Sequence, residues 1–289
     1  MLLDASVTDR KNPAMAITTS TAAYPWRPDE TFFPAADVVP DALILQTSTV
    51  AGSIDGDQPS VRVAYVDDDE SADYYAESEL IDESAPVLAE RVIQTKKLAR
   101  RVVLSSEQFR QEMTATQLAQ SVARDLIRKA DADYIGGTTP LVGLANIAGT
   151  VEAGSVGATD LDVIVNLIAQ LESNGATPSH IVVDPLGWAA LRTLKTGSAS
   201  NESLLGAGTD DAQPRLLGLP VLRSRFVPAY SGVVIDKSAV VSAVGPVSIA
   251  TSEHEEFSRD SVVLRAIWRI GWGITRPDRI GSFDLEPGT

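Results

Sequence analysis

The chain has 289 residues, 44% of them hydrophobic and 22% charged, a balance that supports a folded core and excludes wholesale disorder. Its net charge of −15 excludes gripping of phosphate backbones as a main task, because nucleic-acid affinity rests on Lys and Arg neutralising phosphates. With no cysteine, the chain has no disulfide, thiolate nucleophile or Cys-ligated zinc, so its stability rests on packing and on neighbouring chains.

The opening stretch MLLDASVTDRKNP carries Asp4 and Asp9 where a secretory signal needs an apolar run. No window reaches the roughly 18 apolar residues of a membrane span. The expectation is a soluble protein made inside the cell, with no membrane partner. Residues 1–60 are rich in Thr, Ser, Pro and Ala and show little periodicity beyond a short apolar run at 42–45, which predicts an extended arm; Met15 is a second candidate start.

VRVAYV at 61–66 alternates as a strand does. Acids then accumulate over 67–84 without a Lys or Arg, and 87–104 returns as an extended, increasingly basic stretch with Arg91, Lys96, Lys97, Arg100 and Arg101. The pattern predicts a protruding hairpin with an acidic tip. An isolated two-stranded ribbon is marginal in water, so something outside the hairpin must cover it. The tip residues Asp67, Asp68, Asp69 and Glu70 admit three readings: a solvated face, an electrostatic contact with a neighbouring subunit, or hard oxygen ligands for Ca²⁺ or Mg²⁺. The spacing is not that of an EF-hand, and no metal ligand set is assigned.

Ser105 and Gln108 fit a capping box, and Leu118, Val122, Leu126, Ala130 and Tyr134 recur every four residues until Gly136, Gly137 and Pro140 stop the pattern. Thirty helical residues would span roughly 45 Å, a structural spine. Thr159 or Asp160 is the candidate cap of a second helix with an apolar face of Leu161, Ile164, Leu167, Ile168 and Leu171, ended by Asn174 and Gly175. HIVVDP at 180–185 reads as a short strand entering a third helix with Trp188, Leu191 and Leu194, together a compact α/β lobe. A Gly-, Ser- and Asp-rich loop at 197–213 follows, and 216–224 resumes the lobe. Strands are predicted around 232–235 and 247–251, then one long strand over 258–275. Its even positions Val262, Leu264, Ala266, Trp268, Ile270, Trp272 and Ile274 are apolar, with Arg265 and Arg269 on the opposite face.

Catalytic equipment is sparse. The chain has two histidines, the residue type suited to proton transfer near neutrality, and both His180 and His254 read as structural or surface residues. No nucleophile elbow, Walker A loop, dinucleotide fingerprint or zincin helix occurs. The Trp and Tyr side chains read as core rather than as a ligand cage. No catalytic, cofactor-binding or metal-binding residue is assigned. A metal-dependent α/β enzyme would need the acidic tip and His180 together, and no spacing provides that.

The order of elements, together with several passages, resembles the Hong Kong 97-type major capsid proteins of tailed phages. RRVVLSSEQFRQE (100–112) resembles that family's exit from its E-loop into the spine helix, and PLVGLANIAG (140–149) its joint between spine and axial domain. HIVVDPLGWAALRTLK (180–195), LLGLPVLRS (216–224) and RPDRIGSFD (276–284) resemble, in order, its strand, turn and Trp helix, its GLPV strand and its C-terminal strand end. The resemblance implies an α+β fold divided into an N-terminal arm (1–60), an E-loop hairpin (61–104), a peripheral-domain spine helix and connector (105–156), an axial domain (157–245) and peripheral-domain strands (246–289). It implies a non-enzymatic shell subunit whose partners are its own copies, in hexamers and pentamers, with a portal and a separate scaffolding protein. The shell would enclose double-stranded DNA without specific binding, in a virion assembled in the host cytoplasm; an acidic shell would repel rather than trap that DNA. Some members of the family crosslink themselves through an E-loop Lys, an Asn and a catalytic Glu. Here 61–95 contain no Lys, and Asp260 and Ile267 fall at the other two positions, so the shell is expected to be non-covalent. An encapsulin-like nanocompartment of the same fold is the nearest alternative. The candidate assembly contacts are Asp67, Asp68, Asp69 and Glu70 against Arg124, Arg128, Arg265 and Arg269 of a neighbour.

Overall fold

Residues 30–54, 56–66, 74–78, 80–81, 88–109, 114–157, 161–194 and 214–286 are described by the computed structural model. The chain begins with β1 (Glu30–Phe33), α1 (Ala35–Val38), α2 (Leu43–Thr47), β2 (Thr49–Ser53), β3 (Ser60–Val66), β4 (Leu88–Gln94) and β5 (Lys96–Ser105). It continues through α3 (Ser106–Phe109), α4 (Thr114–Gly136), β6 (Val151–Val156), α5 (Asp162–Ser173), β7 (His180–Val183) and α6 (Pro185–Thr193). Strands β8 (Arg215–Leu216), β9 (Leu219–Arg223), β10 (Ser231–Ile235), β11 (Val240–Glu256), β12 (Ser261–Ile274) and β13 (Ile280–Leu285) complete it.

Alternation along β12 organises the first sheet, whose order is β1-β11-β12-β5, with β2 added parallel to β11. All seven even positions from Val262 to Ile274 are buried, as the period of two demands. From Leu264 onward they meet the stripe Val122, Leu126, Ala130 and Tyr134 of α4 in one core. The ring of Tyr134 stands edge-on to Trp272 at 5.4 Å and 87°. Both buried indoles find acceptors: Trp268 Nε1–H donates to Gly245 O at 3.2 Å and Trp272 Nε1–H to Val142 O at 2.7 Å. Of the expected thirty-residue helix the described parts are the four-residue α3 and the 23-residue α4, the latter about 34 Å long at roughly 1.5 Å per residue, with 110–113 outside the described residues. The Ser105 hydroxyl does accept the Gln108 N–H, at 3.3 Å.

The second sheet runs β6-β13-β10-β7-β9-β8 and packs α5 and α6 through Ile164, Leu167, Leu171, Trp188, Leu191 and Phe283. Helix α5 is entered from Leu161, with no side-chain cap, and Thr159 and Asp160 lie outside the described residues. It ends in a Schellman motif: Ala176 N–H donates to Leu171 O and Gly175 N–H to Glu172 O, with Gly175 at φ +76. Helix α6 is capped by Asp184, whose carboxylate accepts the N–H groups of Leu186 (3.1 Å), Gly187 (3.2 Å) and Tyr230 (3.2 Å). The division expected at 156/157 and 245/246 shifts here. Strand β6 precedes that lobe and β13 follows it in sequence, yet both are strands of its sheet.

The arm expected over 1–60 is corrected for residues 30–54. They form β1, α1, α2 and β2, and bury Val39, Ala42, Leu43 and Ile44 in the core of α4 and β12. Residues 1–29 lie outside the described set. Ala42 has no side-chain acceptor with which to cap α2. Asp131 of α4 takes its place, receiving Leu43 N–H at 2.9 Å.

The hairpin is corrected too. Strands β3 and β4 pair from Ser60↔Gln94 to Val66↔Leu88, but Lys96–Ser105 leaves the ribbon and pairs with β12 over ten residues. The inner face of the ribbon root, Val61, Val63 and Ile93, packs on Ile54, Val241 and Ala243. This contact works because β12 carries glycine where β4 crosses it: a Cβ on Gly271 would lie 2.4 Å from Gln94 O. Arg269 clasps both ends of the root, donating to Asp57 Oδ1 (2.9 Å), Gln58 O (3.4 Å) and Thr95 Oγ1 (3.3 Å). Arg276 reaches Val66 O at 3.1 Å.

Two expectations follow from these contacts. Burial pushes the Asp131 carboxyl up from 3.8 to about 6; the Leu43 N–H opposes the shift and Asp41 adds to it. The folded value lies above the unfolded one, so the contribution is complete below about pH 4 and is lost as pH rises through 6, about 3 kcal/mol in all. Asp131→Asn keeps the acceptor and cannot ionise, so urea unfolding should show the wild type losing about this much relative to the variant between pH 4 and 7.5; parallel curves would refute the assignment. Gly271→Ala should cost about 1–3 kcal/mol by overpacking against the β4 backbone and accelerate hydrogen exchange in β3 and β4. Gly154→Ala, where a Cβ meets nothing within 4 Å, is the matched control.

Candidate assembly surface

The ribbon of β3 and β4 has two faces because its residues alternate. One is the root face described above. The other presents Arg62, Ala64, Val66, Leu88, Glu90 and Val92, all exposed. Arg62 and Glu90 are diagonal neighbours in this row and pair at 3.3 Å, leaving the remainder apolar. Beyond the strands, Tyr74, Leu80 and Ile81 are the most exposed large apolar side chains of the tip, at 106%, 84% and 71%. Scattered exposed apolar residues are ordinary, whereas a concentration on one projecting element marks an interaction surface.

The candidate charged contacts separate in space. Asp67, Asp68, Asp69 and Glu70 lie outside the described residues. Arg124 is exposed on α4, and Arg128 faces Asp125 at 3.5 Å, a carboxylate that also takes Arg100 of β5. Arg265 is exposed on β12, in register with Arg101. Arg124 and Arg128 belong to the helix that covers the even face of β12, whereas Arg265 and Arg269 sit on its odd face. The four therefore do not form one patch. Arg269 is corrected as an intermolecular candidate, since its half-hidden guanidinium is occupied at the hairpin root.

The two histidines lie apart as well. His180 opens β7, half-buried, with Nδ1 3.0 Å from Ser179 Oγ; burial, then the nearby Lys237, holds its pKa below the ordinary value. His254 is exposed near the end of β11, on the other sheet. Among the described residues no group of three or more His, Cys, Asp or Glu side chains is placed to hold a metal ion. Asp260 occupies the turn before β12 with φ +47, and Ile267 lies on the odd face of β12. Sequence reasoning missed the clasp and the glycine crossing. The available signal was Gly271 and Gly273 inside a strand pattern, since strand glycines mark close backbone approach.

The sequence matches the profile of the phage capsid family over residues 41–282. No curated protein matches it. Among solved structures, the capsid of a native GTA particle superposes with a TM-score of 0.64 at 18% identity, covering 84% of this chain and 89% of that one. A structure from Microbacterium phage Oxtober96 gives 0.65 at 14% identity over 94% and 100% of the two chains. One from Gordonia phage Cozz gives 0.61 at 17% identity over 97% and 98%. The fold is thus the Hong Kong 97-type α+β fold, and the chain belongs to the phage capsid family as a shell-forming major capsid protein.

Proposed function

We propose that copies of this chain associate as hexamers and pentamers into an icosahedral, non-enzymatic shell around double-stranded phage DNA, built in the host cytoplasm with a portal and a separate scaffolding protein. The observation that carries the reading is the β3–β4 ribbon, whose outer face and apolar tip are uncovered within the described chain although its root is firmly packed. The ribbon acts as the E-loop. The lobe of β6–β10, β13, α5 and α6 acts as the axial domain, and the five-stranded sheet with α4 as the peripheral domain. A net charge of −15 keeps the shell from trapping DNA on its wall. The acidic tip Asp67–Glu70 meets exposed cations of a neighbour, Arg124 and Arg128 foremost.

Purified particles boiled in detergent should release a single band near 30.7 kDa, because 61–95 supply no Lys for a covalent link. A ladder of multimers would contradict a non-covalent shell. Replacing Asp67, Asp68 and Asp69 together by Asn should weaken assembly at low salt and leave it nearly unchanged at high salt, since each exposed pair contributes only about 0–1 kcal/mol and is screened. Light scattering across a salt series reads this out; stronger assembly of the variant at every salt concentration would make the tip a solvated face.

A further inference from the structure

Helix α2 is held at its first turn by a carboxylate from another element. Its N-cap position is Ala42, and the Leu43 N–H donates instead to the half-buried Asp131 Oδ1 of α4, at 2.9 Å. The rest of this joint is polar but uncharged. The buried hydroxyls of Thr47 and Tyr134 share a hydrogen bond at 2.9 Å, and the Ser48 hydroxyl donates to Ser242 Oγ of β11 at 2.7 Å. Burial pushes the Tyr134 hydroxyl well above its ordinary range, so it stays neutral. Among the described residues no Lys, Arg or His pairs with Asp131. Arg128 and Lys129, close to it in α4, turn to Asp125 at 3.5 Å and Asp133 at 2.7 Å. The charge that does act on it, from Asp41 in the turn before α2, has the same sign, and Asp37 of α1 is exposed. A neutral carboxyl suits such a place, whereas an ionised one loses solvation and gains no cation in return.

We propose that Asp131 is a pH-operated latch: neutral, it holds the segment 35–48 against α4, and ionised, it lets that segment open while the sheet beneath stays folded. The sign follows from the surroundings. Burial, against the opposing Leu43 N–H and with a further push from Asp41, raises the docked carboxyl from 3.8 to about 6, and opening returns it to water. Docking is therefore tightest below about pH 4 and weakens as pH rises through 6. Opening is confined to the segment because α1 and α2 have four and five residues, too short to persist away from α4. Strands β11 and β12, by contrast, pair from Val240↔Ile274 to Glu256↔Ser261, and β12 pairs with β5 over ten residues, with neither helix contributing. The stability lost as Asp131 ionises is thus assigned to one segment rather than to the whole fold. What opening bares is apolar: Val39, Ala42, Leu43 and Ile44 on one side and the stripe of α4 on the other. This surface is closed in acid and is uncovered more often near neutrality. The device works within one chain and does not depend on the shell reading.

Hydrogen exchange of the full-length chain, followed by mass spectrometry from about pH 5 to about pH 7.5, reads the opening directly. Each rate is divided by that of Asp131→Asn at the same pH, which cancels the intrinsic pH dependence of exchange; the variant keeps the acceptor for Leu43 N–H and cannot ionise. Across 35–48 this ratio should rise about tenfold over the range, as carboxyl values of about 4 when open and about 6 when docked require. Across β12 and β5 it should stay level. Asp41→Asn removes the like charge, lets Asp131 ionise at lower pH while docked, and should slow exchange of 35–48 more at pH 7.5 than at pH 5, each value being about that of the buffer. A ratio that is flat across 35–48 would overturn the latch. So would one that rises equally in β12 and β5, because the charge would then act on the whole fold. Should Asp131→Asn not fold, the Asp41→Asn comparison decides alone, and an equal effect at both ends of the pH range overturns the proposal.

Discussion

Strand β12 must satisfy two neighbours at once, and the architecture follows from how it does so. On its even face it offers Leu264, Ala266, Trp268, Ile270, Trp272 and Ile274 to the core of α4, all buried. At about 1.5–3 kcal/mol for each large side chain, that face is a main source of the stability of the first layer. On its odd face the requirement changes along the strand. Arg265 stays exposed, Arg269 turns into the hairpin root, and Gly271 and Gly273 vanish as side chains where β4 crosses. A register slip of one residue would place guanidinium groups in the core and indoles against the β4 backbone, so the pairing has one solution.

Part of the charge is paired within one chain. Arg100 pairs with Asp125, Arg101 with Glu255 and Glu256, Lys129 with Asp133, Arg62 with Glu90 and Arg269 with Asp57, all within one chain. The surplus is negative, and copies carrying −15 each repel one another. Exposed ion pairs are weak and screened by salt, whereas apolar burial is not. In an ionic medium, apolar burial is therefore the stronger source of association for such copies, and charge pairing the weaker.

Local periodicity made much of the fold legible. The even-numbered apolar residues of β12, the four-residue stripe of α4 and the Asn174–Gly175 end of α5 are each written in a few neighbouring residues, and each has the predicted form; the strand expected over 180–185 ends at Val183, and Asp184 caps α6. What failed was non-local. Residues 30–54 looked like an arm because α1 and α2 have only four and five residues, too short to show a helical period, and they are held by α4 and Asp131 rather than by propensity. The stretch 87–104 looked like one strand because Thr95, where it changes partners, is an ordinary strand residue. For the candidate site, the cations were legible as residue types, but sequence does not say that Arg269 is consumed at the root. Nor does it say that Arg124 and Arg265 belong to opposite sides of one sheet.

The root clasp and the open tip together bear on the cost of assembly. Ordering a residue costs roughly 1–2 kcal/mol in backbone entropy, and association adds the loss of rotational and translational freedom. A ribbon that had to be placed wholly by its neighbour would bear that cost at every contact. Here Ile93 is fully buried, Gln94 lies against Gly271, and Arg269 and Arg276 fix the ribbon from two sides, so its direction is set before any neighbour arrives. The edge of β11 is equally fixed, because β1 and β2 are paired to it and α1 and α2 are packed in the core of α4. A ribbon joined to that core holds a constant angle to the sheet. In a shell of identical chains that angle, more than the strength of any single contact, governs which rings can close.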